Sequence, residues 1–170
     1  LEEIGKRTGN LGVASYKAVD VTEAYYNDCI RYLIYGNMLK NGTYPLSVSA
    51  ERLVQAMAIA KEAIALGADY IAHGSTGAGN DQVRFDGVFR AMAPHIGILT
   101  PIRDLQLSRE EEINFLKEHK VDMNFEKAMY SINKGLWGTS VGGRETLTSA
   151  EYLPEEAWPT PLTATQPITL

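Results

Sequence analysis

A run of small and polar residues, His73–Asp86 (HGSTGAGNDQVRFD), is the segment of this sequence best suited to chemistry. Its glycines lack side chains, so backbone N–H groups in the run can approach an anion closely. Thr76 supplies a hydroxyl, Asn80 an amide, Asp81 a carboxylate and Arg84 a guanidinium. Together these groups suit a polar zwitterion such as an amino acid.

The spacing of the glycines in this run matches neither of two common nucleotide-binding motifs. A Walker loop requires a lysine after its glycines, and the dinucleotide fingerprint requires G-x-G-x-x-G. Gly74, Gly77 and Gly79 form G-x-x-G-x-G instead. The glycines alone are as compatible with a structural turn as with a ligand site, and the polar residues after them favour a site.

The run is flanked by segments that predict a strand before it and a helix after it. Asp69–His73 (DYIAH) predicts a short buried strand, and the helix extends from about Asn80 to Ala93. His95–Thr100 (HIGILT) predicts the next strand. Ligands bind at the carboxyl ends of strands in open α/β sheets, so the location favours a binding site.

Other segments continue this alternation of helices and strands. They are a helix tail at Leu1–Lys6, a strand at Ala14–Val19, a helix from caps at Asp20 and Thr22 to about Leu39, a helix capped by Ser49 and ended by Gly67, and a helix with a capping box of Ser108 and Glu111. The alternation predicts an α/β fold, a parallel sheet with helices on both faces.

The regular pattern fades after about Lys120. We predict a domain over residues 1–120 and a loop-rich region over residues 121–170. In the latter, Ser131–Gly143 is predicted to be a loop, and an extended tail is predicted from Pro154 onward.

Composition excludes several classes of protein. Of 170 residues, 45% are hydrophobic and 22% charged, which argues against disorder and a coiled coil. No apolar run approaches the roughly 20 residues of a membrane span. With a net charge of −5, the chain does not have the overall positive charge that non-specific nucleic-acid binding requires. Cys29 is the single cysteine, which excludes an internal disulfide. We therefore expect neither a membrane nor a nucleic-acid partner.

The histidines offer few catalytic or metal-binding arrangements. His73 has either a general-base role or a hydrogen-bonded structural role, and the second is favoured because the sequence places no carboxylate beside it. His95 and His119 lack partners at metal-ligand spacing, so no metal site is predicted.

Three segments carry a resemblance to a known family. The His73–Asp86 run resembles the HG-x-TGKGNDQVRFE signature of the argininosuccinate synthases. Gly42–Ser49 (GTYPLSVS) is similar to the family's Tyr-x-x-Gly-Thr-Ser segment. Tyr130–Ser140 (YSINKGLWGTS) is similar to its Ser-x-Asp-Glu-Asn-Leu-Trp-x-x-Ser segment. The three follow the family's order, and the resemblance extends to about Trp158.

The resemblance implies both a fold and an activity. The fold is the adenine-nucleotide alpha-hydrolase-like (ATP pyrophosphatase, HUP) domain, and the reaction joins citrulline to aspartate with cleavage of ATP to AMP and pyrophosphate. It further implies Mg²⁺ accompanying ATP and a cytoplasmic homotetramer.

The resemblance also implies site residues. ATP contacts are implied at Gly74, Ser75, Thr76, Gly77 and Gly79. Aspartate contacts are implied at Thr76, Asn80 and Asp81. Citrulline contacts are implied at Tyr44, Ser49, Asn80, Arg84, Ser131 and Ser140.

The sequence departs from the family pattern at several positions. Ala78 replaces a common lysine, Ser47-Val48-Ser49 replaces Gly-Thr-Ser, and Asn133-Lys134-Gly135 replaces Asp-Glu-Asn. The family's pyrophosphate loop, Ser-Gly-Gly-x-Asp-x-Ser, does not occur in these 170 residues, and the family's C-terminal region is also missing.

Because the chain starts with Leu1 rather than Met and lacks this loop, we expect a piece of a longer enzyme that does not turn over alone. The alternatives are an adenine-nucleotide-binding module without ligase activity and a catalytically dead structural fragment.

Overall fold

A computed structural model describes residues 2–40, 42, 44–77, 79–121, 130–148 and 150–160. The chain divides into two compact units, residues 1–122 and 123–170. Each unit is described by itself below.

Helices dominate the first unit. Their bounds are α1 Glu2–Asn10, α2 Thr22–Tyr25 continued by a π-helical segment Tyr26–Ile30, α3 Arg31–Tyr35, α4 Ser47–Leu66, α5 Asp81–Met92, α6 Pro101–Asp104 and α7 Arg109–Glu118. Over the part of the chain that is described, no helix combines the length and apolarity needed to cross a membrane.

The described residues of the first unit also include two strand pairs. β1 (Leu39–Lys40) and β2 (Tyr44–Pro45) are antiparallel, whereas β3 (Tyr70–Ala72) and β4 (Gly97–Leu99) are parallel. The His73 N–H extends the parallel ladder by donating to the Leu99 carbonyl at 3.1 Å. The carboxyl ends of β3 and β4 therefore lie side by side, and the α/β class predicted from the sequence is confirmed.

The core of this unit lies where α4 and α5 pack around β3. Its buried members are Ala56, Ala60, Ala63, Ile71, Phe89, Ala93 and Ile96. The three α4 alanines follow helical spacing, so they form one small-residue face that the large Phe89 ring can approach. Phe89 is 1% exposed, and burying such a side chain stabilises the fold by about 1.5–3 kcal/mol.

Local signals set several helix ends as predicted. Ser108 Oγ accepts the Glu111 N–H at 3.3 Å and the Glu111 carboxylate accepts the Ser108 N–H at 2.7 Å, which confirms the capping box of α7. Hydrogen bonds from Ser108 lower the pKa of Glu111. Gly67 follows α4 with a φ of 62°, the left-handed conformation that ends helices.

Three local predictions in the first unit are wrong. Ala14–Val19 is not a strand, because no described strand pairs with it. The helix expected to reach Leu39 ends at Tyr35, since Asn37 adopts a φ of 46° and Met38 N–H returns to the Leu33 carbonyl at 2.9 Å. Ser49 lies inside the first turn of α4 rather than capping it, because the helix starts at Ser47.

The second unit contains a hairpin where the sequence predicted a loop. β5 (Ser131–Gly135) and β6 (Gly138–Gly142) are antiparallel and joined by Leu136 and Trp137. This connection lacks the Asn-Gly or Asp-Gly pair that signals such a turn. Short 3-10 turns follow at Arg144–Leu147 and Glu155–Ala157, and residues 161–170 of the predicted tail lie outside the described residues.

Two glycine-to-alanine substitutions are expected to change stability in opposite directions. Gly67→Ala should lower the free energy of unfolding by about 1 kcal/mol, because alanine is strained at positive φ. Gly87→Ala lies inside α5 with open space around a new Cβ, so it should raise stability by about 0.5–1 kcal/mol through helix propensity. Urea denaturation of the 170-residue chain measures both, and shifts of the same sign would contradict this account.

Candidate functional site

The predicted ATP residues form a loop between β3 and α5 at the carboxyl ends of the parallel strands. We call residues 73–80 the glycine-rich loop; Ala78 lies outside the described residues. None of its described glycines has a positive φ, and a Cβ built on Gly74 or Gly77 would meet its nearest atom only at 3.9 or 3.8 Å. The first unit's own packing therefore does not require these glycines, and they leave the loop backbone accessible to a ligand.

A buried carboxylate lies directly behind the loop. Asp86, whose side chain is 13% exposed, accepts a hydrogen bond from His73 Nε2 at 2.9 Å and pairs with Arg103 Nη1 at 3.0 Å. Arg90 is more distant, with 3.8 Å between its guanidinium and the Asp86 carboxylate. The sequence did not identify Asp86 as the partner of His73, although both residues belong to the same polar run.

The hydrogen bonds of His73 favour one tautomer of its imidazole. Its Nδ1 accepts the Ser75 backbone N–H at 3.3 Å, so the ring proton lies on Nε2 and points to Asp86. The ring also stacks on Phe85, with 5.5 Å between centroids. Because both ring nitrogens are engaged, the geometry favours the hydrogen-bonded structural role over the general-base role.

A second connection runs from Asp86 to the loop through α6 and α5. Arg103 Nη1 donates to Gln82 Oε1 at 3.1 Å, and Gln82 Nε2 donates to the Gly77 carbonyl. Gln82 and Asp86 are one turn apart on the same face of α5. We call His73, Gln82, Asp86 and Arg103 the Asp86 network.

Burial and pairing act in opposite directions on the pKa of Asp86. Burial raises this pKa, and hydrogen bonds from His73 and Arg103 together with the Arg103 charge lower it by more. The net result is a pKa below the ordinary value for an aspartate, so the carboxylate is ionised at neutral pH.

The predicted amino-acid-binding residues Ser49, Asp81 and Arg84 meet on the other side of α5. Arg84 donates to Asp81 Oδ1 at 2.7 Å and to Ser49 Oγ at 3.0 Å. Arg52 Nε also contacts Asp81, at 3.4 Å from Oδ2. Arg52 was not among the predicted site residues, although it lies one helical turn after Ser49 on α4 and helical spacing places both on one face.

Opposite charges are balanced in this second cluster. Besides Asp81, the Arg52 guanidinium contacts Glu51 Oε1 and Gln55 Oε1, each at 3.1 Å. The Arg84 side chain is 26% exposed and the Asp81 side chain 39% exposed. Both charged groups are therefore open to a ligand that carries a carboxylate and an ammonium.

The remaining predicted residues are less completely placed. Thr76 and Asn80 are exposed, and no hydrogen-bond partner for either side chain occurs among the described residues. Tyr44 lies in β2 just before α4, and its side chain lies outside the description. Ser131 and Ser140 share one face of the β5–β6 hairpin, because Ser140 pairs with Asn133, two residues from Ser131.

A sizeable cavity in the first unit lies apart from these groups. Its volume is about 550 Å³, and its lining includes Lys17, Ile59 and Tyr70 but none of the predicted site residues. The candidate site is therefore defined by converging polar groups rather than by this cavity.

Replacing the buried carboxylate should change the pH dependence of stability. A folded-state pKa below the unfolded value contributes stability above about pH 4 that is lost as the pH falls through the folded pKa. Asp86→Asn should therefore lower the free energy of unfolding by about 1–3 kcal/mol at pH 7. The difference from wild type should shrink in acid, as measured by urea denaturation from pH 7 to about pH 2.5.

The exposed Asp69 provides the control, since Asp69→Asn should alter stability little at any pH in this range. An Asp86→Asn deficit that is constant from neutral to acid pH would show that the Asp86 charge contributes nothing.

Comparisons with known proteins identify the family of this chain. The family model described as the argininosuccinate synthase N-terminal HUP domain matches residues 1–122. Argininosuccinate synthase of Methanocaldococcus jannaschii is 39% identical over 161 residues, covering 93% of this chain and 40% of the relative. The Sulfurisphaera tokodaii enzyme is 36% identical over 157 residues, with coverages of 92% and 40%. The Dictyoglomus thermophilum enzyme is 40% identical over 144 residues, with coverages of 84% and 36%.

The chain thus spans about 40% of the length of such curated relatives. The match covers the first unit, including both polar clusters around α5. The chain belongs to the argininosuccinate synthase family.

Proposed function

We propose that this chain is part of a ligase that joins citrulline to aspartate at the expense of ATP. The observation that carries the proposal is the convergence of Ser49, Asp81 and Arg84 beside a glycine-rich loop at the carboxyl ends of β3 and β4. Because the chain spans about 40% of its relatives, the activity is assigned to a longer polypeptide.

In this proposal, the glycine-rich loop binds ATP through Gly74, Ser75, Thr76, Gly77 and Gly79. Support comes from the bare backbone at the glycines and from the N-terminus of α5, a 12-residue helix that begins directly after the loop. A helix N-terminus carries partial positive charge and suits phosphate. Mg²⁺ is proposed to arrive with the nucleotide, because phosphate oxygens are ligands it commonly uses.

The amino-acid substrates are proposed to bind beside the second polar cluster, which consists of Ser49, Arg52, Asp81 and Arg84. Aspartate is assigned to Thr76, Asn80 and Asp81, and citrulline to Tyr44, Ser49, Asn80, Arg84, Ser131 and Ser140. The exposed polar side chains of Thr76 and Asn80 support the first assignment. The Arg84–Ser49 contact supports the second, because it presents a guanidinium suited to a carboxylate.

The proposed reaction has two displacements. The ureido oxygen of citrulline attacks the α-phosphorus of ATP, and pyrophosphate leaves with the electrons of the broken P–O bond. The aspartate amine then attacks the ureido carbon, and AMP leaves as the new C–N bond forms and the amine loses its proton. The substrates supply both nucleophiles, so the protein's part is positioning and charge stabilisation.

Further parts of the proposal rest on family resemblance alone. Residues 1–120 are assigned to the nucleotide-binding domain and residues 121–170 to the start of the synthetase domain. The complete enzyme is proposed to be a cytoplasmic homotetramer.

The activity assay distinguishes this proposal from an adenine-nucleotide-binding module. The full-length polypeptide should release AMP and pyrophosphate and form argininosuccinate only when citrulline, aspartate and ATP are all present. The 170-residue chain alone should form none. ATP binding by the full-length polypeptide without product formation would favour the binding module, and turnover by the 170-residue chain would contradict the assignment to a longer polypeptide.

Replacing Arg84 tests the citrulline assignment. In the full-length polypeptide, Arg84→Ala should weaken citrulline binding by about 1–3 kcal/mol, the cost of losing a charge-assisted contact. Steady-state kinetics with citrulline varied would show this as a higher KM, a lower kcat/KM, or both. The exposed Arg7 of α1 provides a matched control, because Arg7→Ala removes the same charge outside the cluster. Unchanged citrulline kinetics in Arg84→Ala would rule out the assigned role.

A further inference from the structure

Side chains hold the glycine-rich loop at two points between its ends. The ends have backbone hydrogen bonds, from the His73 N–H to the Leu99 carbonyl and from the Arg84 N–H to the Asn80 carbonyl, and Gly77 lies in a turn. Two side-chain contacts reach the loop between these ends, His73 Nδ1 to the Ser75 N–H and Gln82 Nε2 to the Gly77 carbonyl. Both lead back to Asp86, directly through His73 and indirectly through Arg103.

We propose that His73 is a positioning residue that holds the Ser75 backbone amide and thereby sets the loop conformation that receives the ATP phosphates. This inference rests on the proposed function. In it, His73 does not touch the reacting atoms. Its Nε2 is held by Asp86, and its Nδ1 in turn holds the Ser75 N–H of the loop.

The surroundings of His73 support this role. Its side chain is 10% exposed and is packed against the Phe85 and Phe89 rings, so the imidazole cannot turn without disturbing the core. The Nε2–H···Oδ1 bond to Asp86 selects the tautomer in which Nδ1 is an acceptor. Only that tautomer can accept the Ser75 N–H.

Two substitutions of His73 each keep one of the two hydrogen bonds of the imidazole and remove the other. Glutamine places an amide N–H near the position of Nε2 and keeps a donor for Asp86, but it offers no acceptor near Nδ1. Asparagine places a carbonyl oxygen near the position of Nδ1 and keeps an acceptor for Ser75, but it does not reach Asp86. His73→Gln therefore releases the loop, whereas His73→Asn releases the buried carboxylate.

The experiment measures KM for ATP and for citrulline, with melting temperature, in the full-length polypeptide. His73→Gln should raise the ATP KM about three- to tenfold more than His73→Asn, the effect of one lost hydrogen bond. His73→Asn should lower the melting temperature more than His73→Gln. The citrulline KM should change less than the ATP KM in His73→Gln. His119→Gln, an exposed histidine after α7, is the matched control and should change none of these values.

A purely structural role predicts a different order. If the ATP KM follows the melting temperature, so that asparagine is the more damaging substitution in both, the positioning role is overturned. Equal ATP KM values for the two variants overturn it as well.

A second measurement does not require either variant to fold or the ligase assignment to hold. The imidazole ¹⁵N shifts of wild-type His73 near pH 7 should show a protonated Nε2 and an unprotonated, hydrogen-bonded Nδ1. The opposite tautomer would overturn the positioning role even in an active ligase. The expected tautomer in a full-length polypeptide without ligase activity would instead mean that the proposed function fails while the loop contact stands.

Discussion

The arrangement of the elements around α5 in the first unit depends on the hydrogen bonds and ion pairs of one carboxylate, that of Asp86. Asp86 is nearly buried, and an ionised carboxyl in that position is costly unless hydrogen bonds and opposite charge compensate it. His73 at the end of β3 and Arg103 on α6 provide that compensation. Because His73 and Arg103 both contact the Asp86 carboxylate, the end of β3 and helix α6 are held against α5. These contacts lie at the edge of the sheet where the glycine-rich loop begins.

Helix α5 serves three purposes through three sets of positions. Phe85 and Phe89 pack in the apolar core, and the His73 ring stacks on Phe85. On the adjacent side of the helix, Gln82 contacts the loop directly and Asp86 contacts it through His73. Asp81 and Arg84 form the polar cluster with Ser49 and Arg52 of α4. Because one helix carries all three sets, packing in the core fixes the distance between the loop and the polar cluster, as preorganised binding requires.

The parts of the fold predicted from sequence are those with local causes. β3, α5, β4 and the α7 capping box were predicted because apolar periodicity, caps and glycine stops lie within a few residues of each element. The β5–β6 hairpin was not, because its Leu136–Trp137 turn carries no standard turn residue. Ala14–Val19 was predicted as a strand from its composition, but a strand exists only with a partner.

The site shows the same limit. The polar run identified the loop, Asp81 and Arg84, since these are adjacent in sequence. The pairing of Asp86 with Arg103 depends on how α5 and α6 meet in space, and the contact of Arg52 with Asp81 depends on how α4 meets α5. These partners are far apart in the sequence, so spacing along α4 could place Arg52 beside Ser49 but could not pair it with Asp81, nor Arg103 with Asp86.

Hydrogen–deuterium exchange on the full-length polypeptide tests the central claim most directly, because it shows where the ligands bind. ATP should protect the amides of residues 73–80, and citrulline added with ATP should extend protection into the segment containing Ser49 and Arg84. Protection by ATP elsewhere in the polypeptide, with residues 73–84 unchanged under saturating ligands, would contradict the assignment of this loop and helix as the binding site.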